Sequence, residues 1–383
     1  MSDSEFLRFH RPSLGTAEEL AVLEVLRSGW LTTGARAKAL EKRFAAYRGC
    51  ARAVATNSCT AALHLALVTL GVGQGDEVIT SPITFASTAN VIVHTGARPV
   101  FCDVQPDTLN MDPAAVSAAM TPRTKAIIAV HFAGHPCDMD DILRIADAQS
   151  VPVVEDAAHA IEAEYRGRPT GSMGVAGAFS FYATKNITSG EGGMLTTKSA
   201  GLADQAEVLA LHGISRDAWK RYGDEGYQHW ETVAAGYKYN MFDIQAALVN
   251  AQMDRIGEFL ERRRGLAERY DQALADVSAL EPLRRRDYVK ASYHLYVVRV
   301  SKEARLSRDA LMNALQAQGI GVGVHFRPVH LHQYYRQAFG FAAGMLPVAE
   351  AAGDAVLSLP LYPSLTPAEV DRVVAACRHA IDR

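Results

Sequence analysis

From about residue 50 to 200 the chain alternates short apolar runs with amphipathic ones. The strand-like runs are 53-AVAT-56, 77-EVITSP-82, 99-PVFCDV-104, 126-AIIAVHF-132, 151-VPVVEDA-157, 178-AFSFY-182 and 193-GMLTT-197. Between the first five lie patterns such as 60-TAALHLALVTLG-71 and 138-DMDDILRIADAQS-150, whose apolar residues fall three and four apart as on a buried helix face. Near-continuous apolar strands alternating with helices predict a mainly parallel sheet covered on both faces. The last two runs are separated only by a loop, which leaves room for one of them to run antiparallel. Ligands of such sheets sit beyond the carboxyl ends of the strands, so chemistry is to be sought where each strand stops.

After residue 240 the texture changes. Residues 243–277 read as one long amphipathic helix bridging two domains. A strand at 293-YHLYVVRV-300, a helix near 307–318, another strand at 321-GVGVHF-326 and two terminal helices follow. The last helix opens with 365-LTPAEVDRV, in which Thr366 is the N-cap, Pro367 occupies the first turn and Glu369 closes a capping box. The expected organisation is a large α/β domain over residues 1–250, including an N-terminal segment 1–15, and a smaller α+β domain over 251–383.

Composition narrows the class. The 383 residues are 49% hydrophobic and 21% charged, the balance of a globular protein with a sizeable core. The formal net charge is −3 without a basic tract, which argues against nucleic acid or an anionic membrane as main partner. No apolar run approaches the ~20 residues that span a bilayer, and the N-terminus lacks a secretory pattern. The five cysteines (Cys50, Cys59, Cys102, Cys137, Cys377) form neither a disulfide framework nor a CxxC zinc site, so a reducing cytoplasm is the expected compartment.

The strand ends carry the candidate chemistry. The first runs into 56-TNSCTAALHLAL, where the N–H groups of a helix N-terminus can hold a phosphate; an ordinary cap by Ser58 or Thr60 explains the same residues. The second ends in 81-SPITFAST, which places Phe85 to stack on a flat ligand or to pack in the core. The fifth ends in 153-VVEDAAHAI. A carboxylate at a buried strand end, Asp156, needs a charged or hydrogen-bonding partner unless it caps a helix, and His159 would share its face if a helix starts there. In 178-AFSFY-182, Ser180 points opposite to Phe179 and Phe181. Then comes Lys185, and glycines in 190-GEGG-193 allow a close backbone approach to a ligand.

Together these signals describe one cofactor. A lysine amine can form a Schiff base with an aldehyde, a carboxylate can keep a pyridine nitrogen protonated, an aromatic can cover a ring, and a helix N-terminus with a serine can take a phosphate. That set matches pyridoxal 5′-phosphate.

The chain resembles the DegT/DnrJ/EryC1/StrS family of nucleotide-sugar aminotransferases. The likeness is carried by 28-SGWLTTG-34, 76-DEVITSPITFASTANVI-92, 122-PRTKAIIAVHFAGHPCDMD-140, 154-VEDAAHAI-161, 179-FSFYATKNITSGEGGMLTT-197, 236-GYKYNMFDIQAAL-248 and 321-GVGVHFRPVHLHQYYR-336. The resemblance implies the aspartate-aminotransferase (type I) fold, with a mixed, mainly parallel seven-stranded sheet in the large domain. The wording around Lys185 and at 320–327 is similar to enzymes that aminate C4 of a UDP-4-keto sugar, such as those forming UDP-4-amino-4-deoxy-L-arabinose.

Carried over by position, the resemblance makes Lys185 the Schiff-base lysine and proton carrier, and Asp156 the partner of the ring nitrogen. It sets His159 near the ring oxygen, Phe85 on the ring face, and Ser180 with the backbone at Cys59 and Thr60 on the phosphate. Many members have Gln in place of His159 and Asn in place of Lys238. A neighbouring subunit is implied to reach the phosphate through Lys238 or Asn240, which makes a homodimer with shared sites the expected unit. Trp30, Thr32, Tyr182, His325, Arg327 and His330 are implied substrate-pocket residues. The substrates implied are L-glutamate, leaving as 2-oxoglutarate, and a nucleotide-diphosphate 4-keto sugar. The cluster His325, His330, His332 lacks the carboxylate or cysteine that metal-ligand spacing would require, and no metal is expected.

Three rivals remain. A dehydratase of the same fold would carry histidine at the position of Lys185. A regulatory protein retaining the fold would not bind the cofactor. A nicotinamide-dependent oxidoreductase fails on context, because 71-GVGQGD-76 precedes a strand instead of following one.

Overall fold

The computed structural model describes residues 6–215 and 231–382. Seven strands form the main sheet: β1 (Arg52–Thr56), β2 (Glu77–Thr80), β3 (Arg98–Phe101), β4 (Thr124–Val130), β5 (Val153–Asp156), β6 (Ala176–Ser180) and β7 (Gly193–Thr197). Their order is β1-β7-β6-β5-β4-β2-β3. Pairings among β3, β2, β4, β5 and β6 are parallel. β7 runs antiparallel to both β6 and β1, because only the Lys185 loop joins it to β6. This is the type I aminotransferase arrangement.

Both faces of the sheet are covered. Helices Cys59–Thr69 and Ala200–Ala210 pack on one side with Val54, Val78, Ile128, Val154 and Leu195. The other side packs Ala53, Phe179, Phe181 and Met194 against helices Ala35–Arg48 and Asp243–Met253. Burial of both faces explains why these strands read as unbroken apolar runs. Among the described residues no helix is long and apolar enough to cross a membrane.

The smaller sheet joins β8 (Leu280–Pro282), β9 (Tyr296–Val300) and β10 (Val356–Leu359), all antiparallel. Helices Ile256–Leu274, Arg308–Ala317 and Pro367–Ile381 complete its core. The last of these has the expected capping box between Thr366 and Glu369. Leu7 is buried in this core and exchanges backbone hydrogen bonds with Gly319 and Gly321. Leu7 thus ties the N-terminal segment to the smaller core, while Phe9 and His10 line the main cavity.

Two expectations differ. The long helix of 243–277 is two helices, Asp243–Met253 and Ile256–Leu274, broken at Asp254–Arg255. Arg255 turns its guanidinium to buried Glu18 across the break. The segment 321–326 is not a strand; it makes one bridge, Gly323 to Ser358, and then diverges toward a cavity.

Candidate active site

A cavity of about 640 Å³ opens where the parallel strands end. Cys59, Thr60, Phe85, Asp156, His159, Ser180, Tyr182, Lys185 and His325 all line it. They come from the ends of β1, β2, β5 and β6 and from the 321–326 segment, gathered by the parallel topology.

After β1, Ser58 caps the helix Cys59–Thr69 by accepting from the Ala61 N–H at 3.1 Å. The simple cap reading holds for Ser58, yet the cap leaves the N–H groups of Cys59 and Thr60 at the cavity wall. Gly193, opening β7, lets this helix terminus lie against the sheet: a Cβ there would fall 2.3 Å from the Ser58 carbonyl carbon. After β2, Phe85 is 66% exposed, so it is not a core residue. At the end of β6, Phe179 and Phe181 are fully buried against Phe44, which turns Ser180 to the opposite, cavity side.

Asp156 is buried and held from two sides. Thr88 donates its hydroxyl to Oδ2 at 2.8 Å, and the Ala158 N–H donates to Oδ1 at 3.2 Å. No helix follows, so this is a turn and not a helix cap. Burial pushes the Asp156 carboxyl above its usual range, and the Thr88 and Ala158 bonds and the charge of Lys185 only partly offset this. The same burial lowers Lys185 to about 8, against the opposing pull of Cys59 and Asp156.

The neighbouring carboxylate has a different task. Glu155, fully buried, accepts from His131 Nε2 at 2.9 Å and from the N–H groups of Gly171, Met173 and Gly174 at 2.7–2.8 Å. It knits β5 to the loop before β6, while Asp156 faces the ligand side.

His159 Nδ1 is buried and has no hydrogen-bond partner. Its ring is flanked by His294, with centroids 4.4 Å apart, and by Phe326 at 6.0 Å. Burial first, then Lys185 and His325, push its protonation far below the ordinary value, so the ring is neutral.

These features fit pyridoxal phosphate. One orphaned imidazole nitrogen awaits a polar oxygen, one carboxylate awaits a cationic nitrogen, one aromatic ring is exposed to the cavity, and helix N–H groups with Ser180 can hold a phosphate. Among the described residues lining the cavity, Lys185 is the one lysine.

Several candidates do not line this cavity. Trp30 and Asn240 face a second cavity of about 1130 Å³ beside the N-terminal helices. Thr32 and Lys238 are exposed and offer backbone carbonyls to Asp243 and Asn57. Arg327 lies at the surface next to Leu331. His330 is completely buried, with Nε2 3.0 Å from Glu350 Oε1, which fastens it to the helix Pro347–Ala355. Among the described residues no group of three or more His, Cys, Asp or Glu side chains is arranged to hold a metal ion.

Other cavity residues escaped the sequence reading, chiefly Thr88, His10 and His294. Only His294 left a trace, as a polar residue in the apolar run 293–300.

Fold and site define a pyridoxal-phosphate-dependent sugar aminotransferase. The model of the DegT/DnrJ/EryC1/StrS aminotransferase family matches residues 12–378, and the chain belongs to that family. It is 49% identical over 380 residues to the spore coat polysaccharide biosynthesis protein SpsC of Bacillus subtilis, covering 99% of this chain and 98% of that one. Spr1654 of Streptococcus pneumoniae, solved in its PMP form, superposes with a TM-score of 0.93 at 35% identity, covering 98% and 99% of the two chains. The same protein has been solved in a PLP form. PseC of Helicobacter pylori, an aminotransferase involved in the biosynthesis of pseudoaminic acid, gives 0.92 at 29% identity, covering 99% and 100%.

Proposed function

We propose that this sugar aminotransferase takes the amino group of L-glutamate and delivers it to the 4-keto carbon of a UDP-linked sugar, in two half-reactions. The observation that carries the transfer chemistry is that Lys185 and Asp156 line one cavity together with His159, whose Nδ1 is orphaned. The choice of C4 and of UDP rests on the similarity of 179–197 and 320–327 to enzymes acting there.

Pyridoxal phosphate, when bound, supplies an aldehyde that links to amines and a ring that draws electrons from the attached carbon. The chain's own residues do the rest. Asp156 would hold the ring nitrogen protonated, and Thr88 keeps its carboxylate aimed. His159 Nδ1 would meet the ring oxygen, Phe85 would cover one face, and Ser180 with the Cys59 and Thr60 N–H groups would hold the phosphate. Lys185 Nζ would take the α-proton of glutamate and return a proton to the sugar carbon. Such acid–base work contributes typically ~10²–10⁴-fold. With its basicity lowered to about 8, more of the amine is free to accept a proton near neutral pH than for an ordinary lysine.

The working unit in this reading is a homodimer. Among the described residues lining the cavity there is one lysine, Lys185, and no arginine. Leu20, Leu23, Leu26, Trp30 and Leu31 are exposed near the second cavity, a face suited to a second copy. Lys238 and Asn240, on the same side, would reach the neighbour's cofactor phosphate.

The test converts the enzyme to its amino form with glutamate and offers UDP-, dTDP- and GDP-linked 4-keto sugars. Return of the lysine-linked absorption band with a UDP-4-keto sugar, and one 2-oxoglutarate released per turnover, is the expected outcome. Response to other sugars only, or to another donor only, overturns the assignment.

A further inference from the structure

The two halves of the site come from separate loops. Asp156 and His159 belong to the end of β5 and the turn after it, and Lys185 to the loop after β6. Asn186, the next residue in the chain, is buried and spans the two loops. Its Nδ2 donates to Glu162 Oε2 at 2.7 Å and to the Ser292 carbonyl at 3.0 Å. A carbonyl can only accept, so the amide has one orientation, and its Oδ1 faces His294 Nδ1 at 3.0 Å as an acceptor.

Each partner is itself fixed. Glu162 lies three residues beyond His159 and is ion-paired with Arg263 of the helix Ile256–Leu274, both side chains buried. Ser292 is fully buried; its hydroxyl donates to the His159 carbonyl at 2.5 Å and its N–H to the Gly134 carbonyl at 3.0 Å. The packing there is tight, since a Cβ on Gly134 would fall 2.1 Å from Ser292 Oγ. Asn186 therefore joins the lysine loop to the His159 segment by two routes, one through Glu162 and one through Ser292. The Lys185 N–H is held only within its own loop, by the Tyr182 carbonyl at 2.9 Å. Among the described residues no other side chain of 183–187 makes a hydrogen bond.

We propose that Asn186 is a positioning residue for Lys185: by tying the lysine's backbone to Glu162 and Ser292, it sets where the amine stands relative to Asp156 and His159. This rests on reading Lys185 as the cofactor-linked lysine. Joining an amine to an aldehyde held in the same site is an intramolecular event, favoured only while the two are kept in register. A displacement of about 1 Å can cost on the order of 10²-fold.

The experiment titrates the full-length protein, freed of bound cofactor, with pyridoxal phosphate and with pyridoxamine phosphate. The first can link to Lys185. The second carries an amine in place of the aldehyde and cannot, although it offers the same ring and phosphate. The affinity for the first divided by that for the second therefore reads linkage, whereas a general loosening of the site lowers both together. In Asn186→Ala this ratio should fall by roughly 10- to 100-fold. Asn186→Ser, which leaves room for a bridging water, should shift it the same way and decides the matter if the alanine variant does not fold. Glu162→Gln keeps an acceptor oxygen for Asn186 but breaks the charge pair with Arg263, so it should lower the melting temperature and leave the ratio near that of the unsubstituted protein. A ratio unchanged in the Asn186 variants, or lowered equally in Glu162→Gln, overturns the proposal. Borohydride fixation of the unsubstituted holoenzyme, located by peptide mass spectrometry, tests the underlying reading separately. Fixation at a residue other than Lys185 would remove that reading whatever the ratios show.

Discussion

Lys185 and Asp156 line the same cavity and act on each other's ionisation, yet no ion pair joins them. Burial opposes each charge by more than the other restores, raising the carboxyl and lowering the amine. A planar cation between them would relieve this: an amine linked to an aldehyde no longer competes for the carboxylate, and a protonated ring nitrogen gives Asp156 its missing counter-charge. Lys185→Ala should therefore lose at least ~10²–10⁴-fold in turnover while still binding the cofactor through Asp156 and the phosphate contacts. Retained cofactor that borohydride no longer fixes to the chain, together with the lost rate, is the expected pair of results. Near-normal turnover would place the reactive amine elsewhere.

Phe85 offers a cleaner separation of binding from folding. Because its ring is exposed, Phe85→Ala should change apo-protein stability by no more than about 0.5 kcal/mol. Loss of a stacking partner should weaken cofactor binding by about 0.5–1.5 kcal/mol. Thermal unfolding of the apo-protein and a cofactor titration measure the two quantities. A large drop in melting temperature with unchanged affinity would make Phe85 a packing residue.

Glu155 contributes to acid stability. Burial alone would raise its carboxyl, but hydrogen bonds from His131, Gly174 and Gly171 hold it below the ordinary value. A depressed folded-state value contributes stability that is present above the unfolded pKa, near ~4.3, and is lost as pH falls through the folded value. Glu155→Gln leaves buried donors unpaired and should cost about 3–5 kcal/mol. The variant should also show a flatter dependence of stability on pH below ~4.3. Denaturant unfolding of apo-protein across that range reads both effects, and parallel curves for the two proteins would refute the assignment.

The large sheet was legible because parallel strands buried on both faces leave unbroken apolar runs. Lys185, Asp156 and Ser180 stood out as polar residues at the ends of such runs. Where strand pairing is sparse, pattern misled: 321–326 has a strand's composition but a single bridge. The helical period continues through Asp254–Arg255, so the break there was invisible. Thr88 and His10 sit in the cavity through contacts far apart in sequence, Thr88 with Asp156 and His10 beside Ala183, and neither pairing has a local signature. His330 illustrates the converse. Histidines grouped in sequence part company in space, one to the cavity and one to Glu350.

Asn240 gives the last prediction. Its Nδ2 donates to Thr33 Oγ1 at 2.7 Å, its Oδ1 is buried without a partner, and the side chain faces the cavity beside Trp30 instead of the one holding Lys185. A buried unpaired acceptor at that place is costly unless something completes it. If a second copy docks there, each active site combines Lys185 of one chain with Lys238 or Asn240 of the other. Lys185→Ala and a Lys238→Ala/Asn240→Ala double variant should then each be impaired alone. Mixing them under conditions that exchange subunits should restore part of the activity, because some dimers carry one intact site. Native mass spectrometry of the mixture, with one variant carrying an affinity tag, establishes that exchange has produced mixed dimers, and glutamate-dependent turnover reads the recovery. Mixed dimers no more active than the separate variants would mean that each chain builds its site alone.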